Sequence, residues 1–117
     1  MAPTPGDRIL LLRPRWLSLI LSGEKSLEIR GRNLPAGPYW LGSCGLIHGR
    51  AQLRAATRIQ TAQAWQDLRQ LHCVDSDEPP YKRTYGFPIK VCERVSPPIP
   101  FARKRGAVGI VKYTPAV

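Results

Sequence analysis

Apolar positions along this chain recur in short runs whose period switches between that of a strand and that of a helix. Ile9-Leu10-Leu11-Leu12 is a continuous apolar run of strand length closed by Pro14, the pattern of a buried central strand. Pro14 suits the first turn of a helix. Trp16, Leu17, Ile20 and Leu21 follow at helical spacing, and Gly23 supplies a C-terminal cap. The period then changes to two. Leu27 and Ile29 alternate with Ser26, Glu28 and Arg30, which predicts a half-buried strand. Its apolar side would face the core, and Glu28 and Arg30 would share the other face.

Further along, Gly31–Pro38 is rich in turn residues and Tyr39–Cys44 reads as a strand. From Arg50 to Arg58 the even positions carry Arg50, Gln52, Arg54, Ala56 and Arg58, against Ala51, Leu53, Ala55 and Thr57. A strand there would set three arginines along one side. Thr61 can cap a helix over 62–71, with Trp65, Leu68 and Leu71 near one face. Asp75, Asp77 and Glu78 fall in a loop before Pro79-Pro80, without the spacing or glycine of an EF-hand. Tyr85–Val95 reads as a strand, and the prolines of Ser96–Phe101 predict an extended segment outside any central ladder. Arg103–Gly106 is a basic turn, and Ala107–Tyr113 a closing strand. The expected fold is α+β: a small closed or nearly closed barrel of five to six strands with two or three flanking helices. It would occupy residues 8–117 as one domain behind a flexible tail of residues 1–7.

Charge narrows the class of partner. Eighteen Lys and Arg against eight Asp and Glu leave a formal charge of +10 on 117 residues, and the usual partner of such a field is a polyanion. Arg50, Arg54, Arg58, Arg103, Lys104 and Arg105 are the candidate phosphate contacts, since the guanidinium fork grips phosphate oxygens in pairs. A solvated outer sheet face explains the arginine row equally well. Tyr39, Trp40, Tyr81 and Tyr85 offer stacking surfaces for unpaired bases, or ordinary core packing.

No segment reads as a membrane span or as a basic amphipathic helix, and residues 1–7 lack a basic leader, so a cytoplasmic protein is expected (nuclear as well, if eukaryotic). Cys44, Cys73 and Cys92 have no CxxC spacing and read as buried free thiols. With His48 and His72 isolated, no metal and no cofactor are expected. The oligomeric state is left open.

Lys25, Glu28 and Arg30 are the candidate site. Residues two apart on a strand face lie roughly 7 Å apart at Cα, so Glu28 and Arg30 can pair with each other or grip one ligand together. An exposed ion pair on a solvated strand is the simpler reading. The helix over Pro14–Ser22 followed by Gly23-x-Lys25-x-x-Glu28-x-Arg30 resembles the signature of ASCH domains, a branch of the PUA-like superfamily. The ending, Pro97–Phe101 with the Arg103–Gly106 turn and a last strand, resembles that family too, so the likeness spans residues 8–113. The resemblance implies a PUA-like β-barrel with helices at its side and a cleft lined by Lys25, Glu28 and Arg30.

Members of that family and its cousins are associated with RNA, modified bases or RNA-linked regulation. One group removes the acetyl group from acetylated cytidine, and RNA cleavage has been linked to others. In the deacetylating group a threonine stands where this chain has Glu28, so that nucleophile is absent. Ser26 lies two residues too early to replace it. Two functions follow as expectations. In one, the cleft binds a nucleotide or an unpaired base of RNA, with Lys25, Glu28, Arg30, Tyr39 and Tyr85 on the ligand. In the other, Glu28 acts as general base on water or a 2′-hydroxyl while Lys25 stabilises developing negative charge.

Overall fold

The computed structural model describes residues 2–117. The chain forms β1 (Arg8–Leu11), α1 (Pro14–Ser22), β2 (Leu27–Arg30), β3 (Gly37–Ser43), β4 (Leu46–Leu53), β5 (Thr57–Ile59), α2 (Ala62–Asp67), α3 (Arg69–His72), β6 (Thr84–Pro100) and β7 (Ile110–Lys112). The strands make one curled sheet in the order β2-β6-β4-β3-β1-β7, with β5 attached to β6. The fold is α+β, as expected. It is a curled half-barrel of seven strands with three helices, left open where β2 and β7, at its two ends, do not pair.

Helix α1 starts and stops where its sequence says. Pro14 occupies the first turn, and Gly23 takes the left-handed conformation (φ +85°), its N–H donating to the Ile20 carbonyl at 3.1 Å. The reversal at Gly23 turns the chain directly into Lys25 and β2. Leu17 and Ile20 bury the helix against Leu10, Leu41 and Phe87 in the main core.

Strand β6 organises the sheet. Its first residues pair with β2 on one edge and with β5 on the other, and from Ile89 it pairs with β4. Register shifts in the β4 ladder bend it, and the stretch holding Pro97 and Pro98 falls in one of these interruptions. The proline-rich segment was expected outside a central ladder. It belongs instead to β6, pairing again at Ile99 and Pro100 with Ile47 and Leu46.

The largest departure from the alternation argument concerns β2. Leu27, Glu28 and Ile29 are all buried. Leu27 and Ile29 do not face the main core: they pack on Ile59 and Trp65 beneath α2 and α3. Glu28 and Arg30 pair in register with Phe87 and Tyr85, so they point to the concave side, toward the main core. Both faces of this strand are covered, and its charged face is enclosed.

Other elements are shorter than their patterns predict. The arginine-bearing stretch breaks after Leu53 and resumes at Thr57, so Arg54 lies between strands. The helix after Thr61, whose hydroxyl accepts from Ala64 N–H at 3.1 Å, divides at Leu68, leaving Leu71 exposed and Trp65 fully buried. Just ahead of β1, Gly6 N–H donates to the Tyr113 carbonyl, and the Asp7 carboxylate accepts from Trp40 Nε1 at 3.0 Å. The three cysteines are free but not buried: Cys44 and Cys92 are exposed and Cys73 is half-buried. No helix among the described residues is long and apolar enough to cross a membrane.

Candidate functional site

Where the sheet fails to close, a cleft of about 610 Å³ opens between its two ends. One wall is Glu28, Ile29 and Arg30 of β2; the opposite wall is Leu11–Arg13 and Ala107–Gly109, the latter leading into β7. Trp16 of α1 and Tyr81 also line it. The Arg30 guanidinium spans the gap. Its Nη2 donates to the Leu11 carbonyl at 2.9 Å and to Glu28 Oε2 at 2.7 Å, and its Nε reaches the same oxygen at 2.9 Å. One arginine thus ties β2 to β1 across the gap and holds one oxygen of the Glu28 carboxylate with two charge-assisted hydrogen bonds.

Lys25 completes the group from the turn after Gly23. Its side chain is essentially inaccessible, with Nζ 3.7 Å from Glu28 Oε1, donating to the His72 carbonyl, and 4.8 Å from the centre of the Trp16 ring. Burial pulls its ammonium below the usual lysine range, and the neighbouring Glu28 carboxylate offsets part of that pull. Three charged side chains therefore line a concave cleft, two of them buried. Such grouping marks functional sites more often than passive surfaces.

Behind Lys25, His72 is a structural residue. Its ring stacks on Trp65 at 3.7 Å, and its Nδ1 accepts from Val74 N–H, which leaves Nε2–H to donate to the Trp65 carbonyl at 2.9 Å. Both nitrogens are committed with the ring neutral, and burial holds its pKa below the ordinary histidine value. The backbone carbonyl of His72, and not its imidazole, takes part in the site.

The structure separates the other sequence candidates. Lys25, Glu28 and Arg30 come together as described. Tyr39 does not join them: it is wholly buried, its ring under the Arg8 guanidinium and its hydroxyl spent on the Pro35 carbonyl at 2.7 Å. Trp40 is likewise core, covered by Arg50 across the β3–β4 pair. Tyr85 is half-buried on the concave face, between Arg30 and Arg58 in register. Arg58 borders a second depression beside Tyr81, Arg103 and Lys104 border a third, and Arg50, Arg54 and Arg105 border none of these. His48 does not line the cleft.

Two lining residues carried weak signals. Trp16, the first residue of the apolar stripe on α1, is only half-buried and lines the cleft with Arg15 over its ring at 4.7 Å. Tyr81 lies against Gly31, where an added Cβ would stand 3.0 Å from the ring. The glycine following Arg30 is the sequence sign that something packs there. Thr84 fixes the backbone of Tyr81, accepting from its N–H and donating to its carbonyl, both at 3.1 Å.

No protein-family model matches this chain, and no curated protein matches it in sequence. Solved structures do. The crystal structure of ASCH from Zymomonas mobilis superposes with a TM-score of 0.74 at 18% identity, covering 93% of this chain and 88% of that one. Two point mutants of the same protein give TM-scores of 0.73 and 0.70, also at 18% identity, covering 93% and 97% of this chain and 91% and 92% of theirs. The chain has the ASCH fold.

Proposed function

We propose that this protein binds single-stranded RNA, holding a nucleotide or unpaired base in the cleft lined by Lys25, Glu28 and Arg30. The observation that carries the reading is the enclosed Glu28 carboxylate: Arg30 orients it and Lys25 balances it at the mouth of a cleft of about 610 Å³ whose other walls include Trp16 and Tyr81. A fixed carboxylate accepts from the amino or imino N–H groups on a base edge, and aromatic faces stack on the base plane. The net charge of +10 attracts the phosphates. The motif resemblance supports the same class of ligand.

The test is fluorescence anisotropy on short labelled single-stranded RNAs. Loss of a stacking ring costs about 1–3 kcal/mol per base, so Tyr81→Ala should weaken binding roughly 5- to 150-fold. Equal affinity in the variant would remove the cleft from the binding surface.

One observation favours a second reading, a hydrolase acting on RNA or a modified nucleoside. Lys25 Nζ lies 3.7 Å from the Glu28 carboxylate inside the cleft, a cation beside a potential general base. Glu28 would act on water or a 2′-hydroxyl, and Lys25 would stabilise the developing charge. Against it, both donors of Arg30 on this carboxylate bind the same oxygen, Oε2, and Oε1 faces Lys25. Intact-mass spectrometry of short RNAs, some carrying acylated cytidine, separates the readings: chain scission or acyl loss that Glu28→Gln abolishes identifies the enzyme.

A further inference from the structure

The cleft has two smaller neighbours, and it shares a wall with each. A depression of about 170 Å³ shares Leu11, Leu12 and Ala107 with it and carries Arg103 and Lys104. On the other side, a depression of about 320 Å³ shares Tyr81 and carries Arg58 and Lys82. None of these four cations forms an ion pair among the described residues. Glu78 also borders the Tyr81 depression, leaving two positive charges against one negative there.

The sheet makes the second connection continuous. Arg30, Tyr85 and Arg58 are register partners across β2, β6 and β5, so their side chains leave the same face. Adjacent strands lie about 4.8 Å apart, which puts Arg58 about 10 Å from Arg30 at Cα. Free cations thus flank the cleft on both sides, while two of the three cations that line it are committed, Arg30 to Glu28 and the Leu11 carbonyl and Lys25 to Glu28 and the His72 carbonyl; the third, exposed Arg13, forms no ion pair among the described residues.

We infer that the ligand is a continuous strand of at least three nucleotides, not a free nucleotide. Its middle base enters the cleft, one neighbouring phosphate lies on Arg103 and Lys104, and the other lies on Arg58 and Lys82. This deepens the proposed function and rests on it. It predicts that Arg54, which borders none of the three hollows, contributes little.

The experiment is competition against a labelled ten-nucleotide RNA by equimolar pools of ribonucleoside monophosphates and of trinucleoside diphosphates. Each phosphate engaged on a single strand adds about 0.7 to the log–log salt slope, so two should steepen the trimer's slope by about 1.4. Between 50 and 200 mM salt the trimer should then weaken about sevenfold more than a competitor without phosphate contacts. The pairs Arg103→Ala with Lys104→Ala, and Arg58→Ala with Lys82→Ala, should each remove about 0.7 from that slope, and Arg54→Ala should leave it unchanged. All are exposed positions, and matching thermal melts verify that the variants fold. Monomers that compete as well as trimers, with the same slope, would overturn the three-nucleotide track while leaving base binding intact. Absence of binding to the labelled RNA itself would overturn the reading beneath it.

Discussion

Replacing Glu28 with glutamine tests whether the buried charges form a unit. In the native protein the Lys25 ammonium, 2% exposed, has Glu28 at 3.7 Å as its only carboxylate partner among the described residues. Breaking a buried pair by removing one member costs about 3–5 kcal/mol, because the other charge is left stranded. The low end applies here, since the His72 carbonyl and the Trp16 ring remain on Lys25 and the amide oxygen still accepts from Arg30. About 3 kcal/mol at about 4 °C each gives a fall in Tm of about 12 °C for a domain of this size. Lys25→Met should behave differently. It removes a desolvated charge, leaves Glu28 paired with Arg30, and costs about 1 kcal/mol for the unpaired His72 carbonyl. In the double variant Glu28→Gln with Lys25→Met the buried Lys25 charge is gone and only Arg30, whose side chain is 17% exposed, lacks its carboxylate, so it should recover about 2 kcal/mol of the Glu28→Gln loss. Urea denaturation of the four proteins at one pH measures the coupling. A double variant no more stable than Glu28→Gln alone would refute the argument that Lys25 and Glu28 hold each other in place.

Further expectations follow from the same geometry. The folded pKa of Lys25 lies below its ordinary value near 10.5, so between those two values the unfolded chain binds more protons; stability should rise with pH through that window, and Lys25→Met should flatten the rise in urea midpoints. His72 is likewise held below its ordinary 6.5. Stability should therefore drop as pH falls from 6.5 through the folded value, and His72→Gln should lessen that drop in melts taken at pH 7.5 and 5.5. Gly31→Ala drives a methyl toward the Tyr81 ring at 3.0 Å, so RNA affinity measured by anisotropy should fall while the melting curve changes little. Trp65→Ala, at a fully buried position, should cost about 3–5 kcal/mol in denaturation experiments through the cavity it leaves under β2.

The helix over Pro14–Ser22 was legible because its proline, apolar stripe and glycine are local devices, and the motif after it was legible as a group of charges. What the alternation of Leu27 and Ile29 with Glu28 and Arg30 cannot convey is that both faces of β2 are covered. One lies under Trp65, some forty residues away in sequence, and the other lies at the mouth of a half-barrel. Aromatic character alone does not separate a stacking ring from a core ring: Tyr39 is buried by β3 pairing on both edges, and Tyr81 is left in the cleft by a loop anchored on Thr84. The arginine row of 50–58 looked regular because periodicity does not register a chain break. Arg50 settles on Trp40, and only Arg58 reaches a depression beside the cleft.

The most direct test of the central claim is an amide-resolved NMR titration of the protein with a mixed trinucleotide RNA at low salt. Shifts concentrated on Lys25–Gly31, Tyr81 and Ala107–Gly109 are the predicted result. Shifts confined to the outer face of β4 around Arg50 and Gln52, or no shifts at saturating RNA, would contradict it.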